Sequence, residues 1–533
     1  MNFSQTYIMN EKYFLFVIAF IFNINLFSQT WVEKNEDETY TARHECSFVQ
    51  AGDKFILFGG RENAQTLDVY DYATDSWSNG GTAPVEFNHS QAITHEGLIW
   101  VIGAFKTNNF PNESPADYIY MYNPASEQWI QGMEIPASRK RGSAGLVNYN
   151  GSFYLVGGNT IGHNGGYVPY FDKFNPNTGV WSQLTDAPNT RDHFQAVTIN
   201  DKLYAIGGRL SGGAEGTFKP QVPEIDVYDF NTQMWSTLDA SKNLPFPRAG
   251  LAVTVFDNEI YTIGGESTFG SMSETNGPKD VVESFNPITE VWTTQNSLNY
   301  PRHGLQSIVS GNGIYVVAGH GDGGPRKLME YYGTDSPIGS PSINSSFAAD
   351  ETTKAFLYTE LQGTAPIQIT LSNTIGTTGT YIDSIELTGS ADYTLSQSYD
   401  NRLVGANSNL LVDVTLNDTT KPTNNATVVV TYNNDTTINI SLDGTLDGTF
   451  SISDDEIIKK LKLYPNPVKS NFSINKDITH LSIYDINGRL VKEFKGRFNK
   501  GETFDVSNLS QNFYFTKIED NNGSVETSKF VKL

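Results

Sequence analysis

Several things this chain has little of narrow its possibilities. It holds a single cysteine, Cys46, so no intrachain disulfide can form. If it is exported, its stability has to come from size and closure, not from cross-links. Positive charge is scarce: 36 Lys and Arg stand against 59 Asp and Glu, a net charge of −23. Binding to a phosphate backbone needs a basic surface, which argues against nucleic-acid partners. There is no phosphate-binding P-loop, no dinucleotide glycine fingerprint and no nucleophile elbow. No apolar run is long enough to span a bilayer, so an integral membrane protein is not expected. The most apolar stretch, residues 13–22 (YFLFVIAFIF), follows Lys12 and reads as the core of a signal peptide ending near Ser28–Gln29. Low charge, 18%, with 47 glycines suits a turn-rich, all-β chain.

What is present is a repeat. An aromatic residue precedes Trp by seven positions in Tyr70–Trp77, Tyr122–Trp129, Phe174–Trp181, Tyr228–Trp235 and Phe285–Trp292. The Trp-to-Trp intervals are 52, 52, 54 and 57 residues. Upstream of each pair an apolar strand ends in glycine, as in Phe58-Gly59-Gly60 and Ile263-Gly264-Gly265. A sixth such strand ends at Ala318-Gly319 and leads to Tyr331-Tyr332, but no Trp follows. Trp31 stands alone near the start. Pairing it with the segment at Tyr332 completes six units and removes a free strand edge. A period near 50 residues reads as a β-propeller. The phrase resembles the kelch repeat across residues 30–335, with Gly103-Ala104 as the departure in the second unit. The expected fold is therefore all-β: a six-bladed kelch β-propeller closed by the N-terminal strand.

The texture changes after the last repeat. Residues 336–350, rich in Ser, Pro and Gly, read as a linker. Residues 351–449 contain alternating runs such as Ile382–Leu387 and Thr427–Val430, which suggest an immunoglobulin-like β-sandwich. Residues 458–533 open on Leu463-Tyr464-Pro465-Asn466-Pro467, continue through Tyr484-Asp485-Ile486-Asn487-Gly488, and end on Lys529-Phe530-Val531-Lys532-Leu533. This segment resembles the small β-sandwich sorting domain of the type IX secretion system of Bacteroidetes; Gln511-Asn512 stands where that family usually has glycine before the aromatic. The resemblance implies that the secretion machinery is a partner and that the product is secreted or held at the outer cell surface, with residues 1–28 as the leader.

Strand direction singles out one face of the propeller. The residues that open each innermost strand share a rim with those just past the glycines. They supply Arg43, His44, His89, Arg139, Arg141, Arg191, His193, Arg248, Arg302 and His303, and Arg209 and Glu266 join them from beyond the glycine pairs. Half of these Arg are expected to make structural bonds between loops. The rest suggest a cationic pocket for an acidic polysaccharide or its fragments, since Arg grips carboxylates and sulfates bidentately. Aromatic residues on that face, Phe105, Phe110, Tyr167 and Phe269, would stack on sugar rings or pack the loops. An alternative resembles N-acetylneuraminate epimerases, with Glu266 as the acid/base and Arg holding the substrate carboxylate. A protein–protein scaffold is a third reading. A radical-copper oxidase, another activity found on kelch folds, needs Tyr in slots that here hold His89, Arg302 and His303. No cofactor is expected. No metal is expected either, because the His lie on separate blades without short ligand spacing.

Overall fold

The computed structural model describes residues 29–34, 39–62, 65–213, 215–268, 277–358, 366–447 and 461–533. The expected leader and Phe269 lie outside them. The chain divides into two compact units. Met1–Ala355, Thr364–Asp418 and Asn424–Asp443 form the first; Phe356–Gly363, Thr419–Thr423 and Gly444–Leu533 form the second.

The repeat builds six four-stranded antiparallel blades. In the first, Cys46–Ala51, Lys54–Gly59, Thr66–Asp71 and Ser76–Thr82 follow one another outward. The seven-residue gap has a simple cause. The third and fourth strands form a hairpin, and residues seven apart face each other across it. Tyr70 pairs with Trp77, Tyr122 with Trp129, Phe174 with Trp181, Tyr228 with Trp235 and Phe285 with Trp292. The rings touch at centroid distances of 5.1 Å in the first and 5.2 Å in the second pair, where cross-strand aromatic contact stabilises the sheet. The sixth blade takes its outer strand from the start of the chain: Trp31–Glu33 lies beside Met329–Gly333, with Trp31 opposite Tyr332. The Trp indoles also tie blades together. Trp292 donates to the Lys242 carbonyl at 2.9 Å and Trp31 to Asn296 at 3.0 Å.

The first strands of neighbouring blades pack on one another around the axis. Three buried glutamines from alternate blades bridge across it. Gln91 donates to the Ala196 carbonyl, Gln195 to Leu305 and Gln306 to Ala92, at 2.7, 3.0 and 2.7 Å. They fill the axial channel, leaving an inner cavity of about 40 Å³ above them. At the mouth, a glycine pair lets the second strand turn sharply in four of the six blades. Gly60 has φ +97°, and a Cβ there would lie 2.5 Å from the His44 carbonyl oxygen.

The following domain contributes one sheet of Ser346–Ala349, Ile367–Thr374, Ser408–Leu416 and Tyr393–Leu395, and another built around Thr423–Tyr432, Thr380–Gly389 and Arg402–Val404. Its first strand thus falls inside the segment read from sequence as linker. Buried Tyr381 and Leu403 join the core of blade two with Trp100, Ile119 and Met121. The Met133 amide donates to the Tyr381 hydroxyl at 3.0 Å, and the Gly379 amide to the Glu96 carbonyl at 2.7 Å. Glu96 lies in the turn from first to second strand. The sandwich is therefore docked on the face opposite the mouth. In the second unit, Leu463–Tyr464, Asn471–Ile474 and Thr503–Asp505 form a small sheet, and Leu490–Phe498, Ile478–Tyr484, Asn512–Asp520 and Val525–Lys532 a larger one. Val468, Phe472, Leu481, Ile483, Phe504 and Phe530 make a common core.

Candidate functional site

The arginines are mostly buried inside their own blades. Arg43 is ion-paired with Asp68, Arg141 with Asp172, Arg191 with Asp226, Arg248 with Glu283 and Arg302 with Glu330, each with a guanidinium no more than 1% exposed. Further donors meet backbone carbonyls sixteen residues on: Arg141 to Gly157, Arg191 to Gly207, Arg248 to Gly264 and Arg302 to Ala318, at 2.6–3.0 Å. Arg139 shares Asp172 and stacks on Tyr170. These six side chains tie the mouth loops together and do not offer a guanidinium to a ligand. The expected cationic ring is therefore replaced by a structural one, because each charge is matched by a carboxylate two residues before the third-strand aromatic. Blade two shows the rule by exception. Its arginine slot holds Phe87, its carboxylate slot Tyr120, and the two rings meet edge to face at 5.1 Å.

Two positions beyond each arginine slot the backbone turns left-handed. Glu45, His89, Ser143, His193, Gly250 and Gly304 all have φ between +52° and +66°. Their amides bond from blade to blade around the axis: Glu45 to the Gly304 carbonyl at 2.7 Å, His89 to Glu45 and Ser143 to His89 at 2.9 Å, Gly250 to His193 and Gly304 to Gly250 at 2.7 Å. Glycine meets this conformation at no steric cost, and two blades use it. Glu45, His89 and His193 hold it at a cost of about 1 kcal/mol or more each, a pattern typical of functional positions.

The expectation that the imidazoles stand too far apart for a common ion fails for His89 and His193. Their ring centroids are 4.5 Å apart, and His163 joins them at 5.0 and 4.6 Å. His163 comes from a short 3-10 turn, Gly162–Asn164, in the long loop of blade three. Its Nδ1 lies 3.0 Å from Glu113, which is also ion-paired with Arg61. Glu113 and His163 are both buried and were missed in the sequence, because nothing in the repeat fixes how loops of unequal length fold back. Across Glu45, His44, His303 and His320 form a second group, with centroids 4.9–5.8 Å apart. His44 Nδ1 is 2.9 Å from Glu62, and His303 Nε2 is 3.5 Å from Glu266, the carboxylate bound by Arg209. Six of the eight histidines thus meet at one mouth.

Burial opposes ionisation of Glu45, but His89, with His193 and His44 beyond it, outweighs this and holds the carboxyl well below its ordinary range. Burial pushes His89 down to about 4 and carries His193 well below its usual value, so both imidazoles are neutral at pH 7. Burial likewise resists charge on Glu266, yet His303 and Arg209 keep its pKa low. Above the Glu45 carboxylate opens a cavity of about 330 Å³. It is lined by His44, Glu45, Arg61, Phe110, His163, Phe218, Glu266, His303 and His320. Phe110, 57% exposed, and Phe218, 37% exposed, form its apolar walls. Phe105 is fully buried and Tyr167 half-buried, and neither lines the cavity.

Fold and site define a six-bladed β-propeller with a blind, histidine- and carboxylate-rich axial mouth. Residues 111–319 match the KLHDC2/KLHL20/DRC7 Kelch-repeats domain, and residues 462–533 the Secretion system C-terminal sorting domain. The chain carries kelch repeats and a type IX secretion sorting domain, and is secreted or surface-exposed. It is 26% identical over 289 residues to Kelch-like protein terF of Aspergillus terreus, covering 52% of this chain and 61% of that one. Kelch-like protein 23 of Homo sapiens is 23% identical, over 48% of this chain and 41% of its own length. The chain spans about half the length of these relatives. A solved structure titled "Structure of YjhT" aligns with a TM-score of 0.47 at 16% identity, over 55% of this chain and 94% of that one. Among the described residues no helix is long and apolar enough to cross a membrane.

Proposed function

We propose that the protein, exported with residues 1–28 as leader, uses its axial mouth to bind a short acidic saccharide: a chain end or fragment of an acidic polysaccharide, within a glycan-degradation system. The observation that carries this reading is the lining of the mouth. Two exposed phenylalanine rings face a polar floor in a cavity large enough for a small ligand. Apolar walls suit stacking against a sugar ring, and Arg61, 15% exposed, and His320 are the groups suited to meet a carboxylate. Because the mouth arginines are matched internally, Arg61 by Glu113 among them, the ligand is a single acidic unit and not a long polyanion. Titration calorimetry with uronic and sialic acid oligosaccharides tests this. Binding should weaken at least tenfold in Phe110→Ala and for neutral analogues. A glycan array with no charged saccharide retained sinks the reading and favours a protein–protein scaffold.

A second reading rests on Glu266 beside His303, a carboxylate–imidazole couple facing the same cavity. Such a couple suits proton transfer at a sugar carbon, as an epimerase or lyase requires. NMR with uronic and sialic acids separates the two readings. Turnover that disappears in Glu266→Gln marks an enzyme; unchanged spectra with intact affinity mark a binding protein.

A further inference from the structure

We propose that His89, His163 and His193 form a binding site for one divalent transition-metal ion of zinc type. Four observations carry this. First, the ligand atoms of the three histidines all lie within 4.8 Å of one another, and all three are buried. Second, each Nδ1 is held by an oxygen that accepts a proton: Asn88 Oδ1 at 2.6 Å for His89, Glu113 at 3.0 Å for His163, and Asp192 for His193. A proton on each Nδ1 leaves every Nε2 as a lone-pair donor, the arrangement by which outer carboxylates orient metal-binding histidines. Arg61 stands 3.1 Å from the His163 Nδ1 and is itself ion-paired with Glu113.

Third, the Nε2 atoms of His163 and His193 face each other at 3.3 Å. With the protons on Nδ1, two lone pairs are opposed at this distance, an arrangement that a cation between them stabilises. A tetrahedral ion with metal–nitrogen bonds of about 2.0–2.1 Å sets its ligand atoms about 3.3–3.4 Å apart. Fourth, the His89 Nε2 is fully buried without a hydrogen-bond partner. It lies 2.8 Å from Glu45 Oε2 but out of line for a hydrogen bond, so its lone pair remains available to an ion. The backbone adds to this. His89, His193 and Glu45 occupy the left-handed slot that glycine fills in two other blades, which aims these side chains at the axis. An imidazole donor set suits zinc and its neighbours rather than calcium or magnesium. Glu45 and His163 also line the saccharide cavity, so an ion there borders the mouth. The metal site does not depend on the saccharide reading.

The test is a calorimetric titration of the chelator-treated, full-length protein with Zn²⁺ alone, no saccharide present. One equivalent should bind with sub-micromolar affinity and raise the melting temperature. Co²⁺ in its place should give the intense visible band of a four-coordinate ion. His163→Ala, in the short turn Gly162–Asn164, and His193→Ala should each weaken binding at least a hundredfold. Glu113→Gln, which removes the carboxylate held by the His163 Nδ1 but no ligand atom, should weaken it about ten- to a hundredfold. His480→Ala, in the sorting domain, should change nothing. If His193→Ala does not fold, His163→Ala and Glu113→Gln decide the matter. The assignment is overturned if the wild-type protein takes up no Zn²⁺, or if His163→Ala keeps full affinity. It is also overturned if His303→Ala abolishes binding while His163→Ala does not, which would put the ion on the other side of Glu45.

Discussion

In five blades an arginine meets a carboxylate across the root of the mouth; in the second, Phe87 meets Tyr120. Both partners differ together, and the aromatic pair fills the place of the ion pair. The five arginines therefore serve the fold: they fasten first strand to third, and an apolar pair does the same work. The residue two positions on behaves differently. It is glycine in two blades, serine in one, and histidine or glutamate in the three where a titratable side chain faces the axis. One slot in each blade is structural whatever its charge, and its neighbour carries whatever chemistry the mouth has.

This contrast can be broken by experiment. The largest effect is expected from Arg302→Ala, which leaves buried Glu330 without its cation and should destabilise the propeller by about 3–5 kcal/mol in urea unfolding. Phe87→Arg should be comparably harmful, and adding Tyr120→Glu should recover part of the loss. Next comes the reverse exchange, Arg191→Phe with Asp226→Tyr. Copying blade two should cost only about 1–3 kcal/mol, and less than Arg191→Ala alone. If the double exchange proves worse than the single truncation, the two pairs are not equivalent. Smaller still is His89→Gly, which relieves the left-handed backbone and should stay within about 1 kcal/mol of wild type by thermal melting while removing Zn²⁺ affinity. Smallest is Phe110→Ala. Its exposed ring should contribute under about 0.5 kcal/mol to folding, leaving saccharide affinity as the quantity that falls.

Much of this was legible in the chain. The seven-residue aromatic gap is a hairpin register, and the lone Trp31 belongs to the strand opposite Tyr332 because that strand lacks its own partner. The face of the mouth followed from strand direction. What misled was adjacency: Arg43, His44 and Glu45 follow one another, yet the first is buried in its blade and the third points to the axis. A left-handed turn separates them, and no propensity of Glu or His announces it. One signal was available. An acid sits two residues before the aromatic in every blade except the one lacking arginine, which marks the arginines as paired.

The sequence by itself determined the repeat, its count and the side on which the histidines gather, because strand period and hairpin register are local and recur. Only the tertiary structure decided which charges cancel and which remain. Buried pairing depends on distances across strands. The meeting of His163 and Glu113 with His89 and His193 depends on loops of unequal length folding over a common axis.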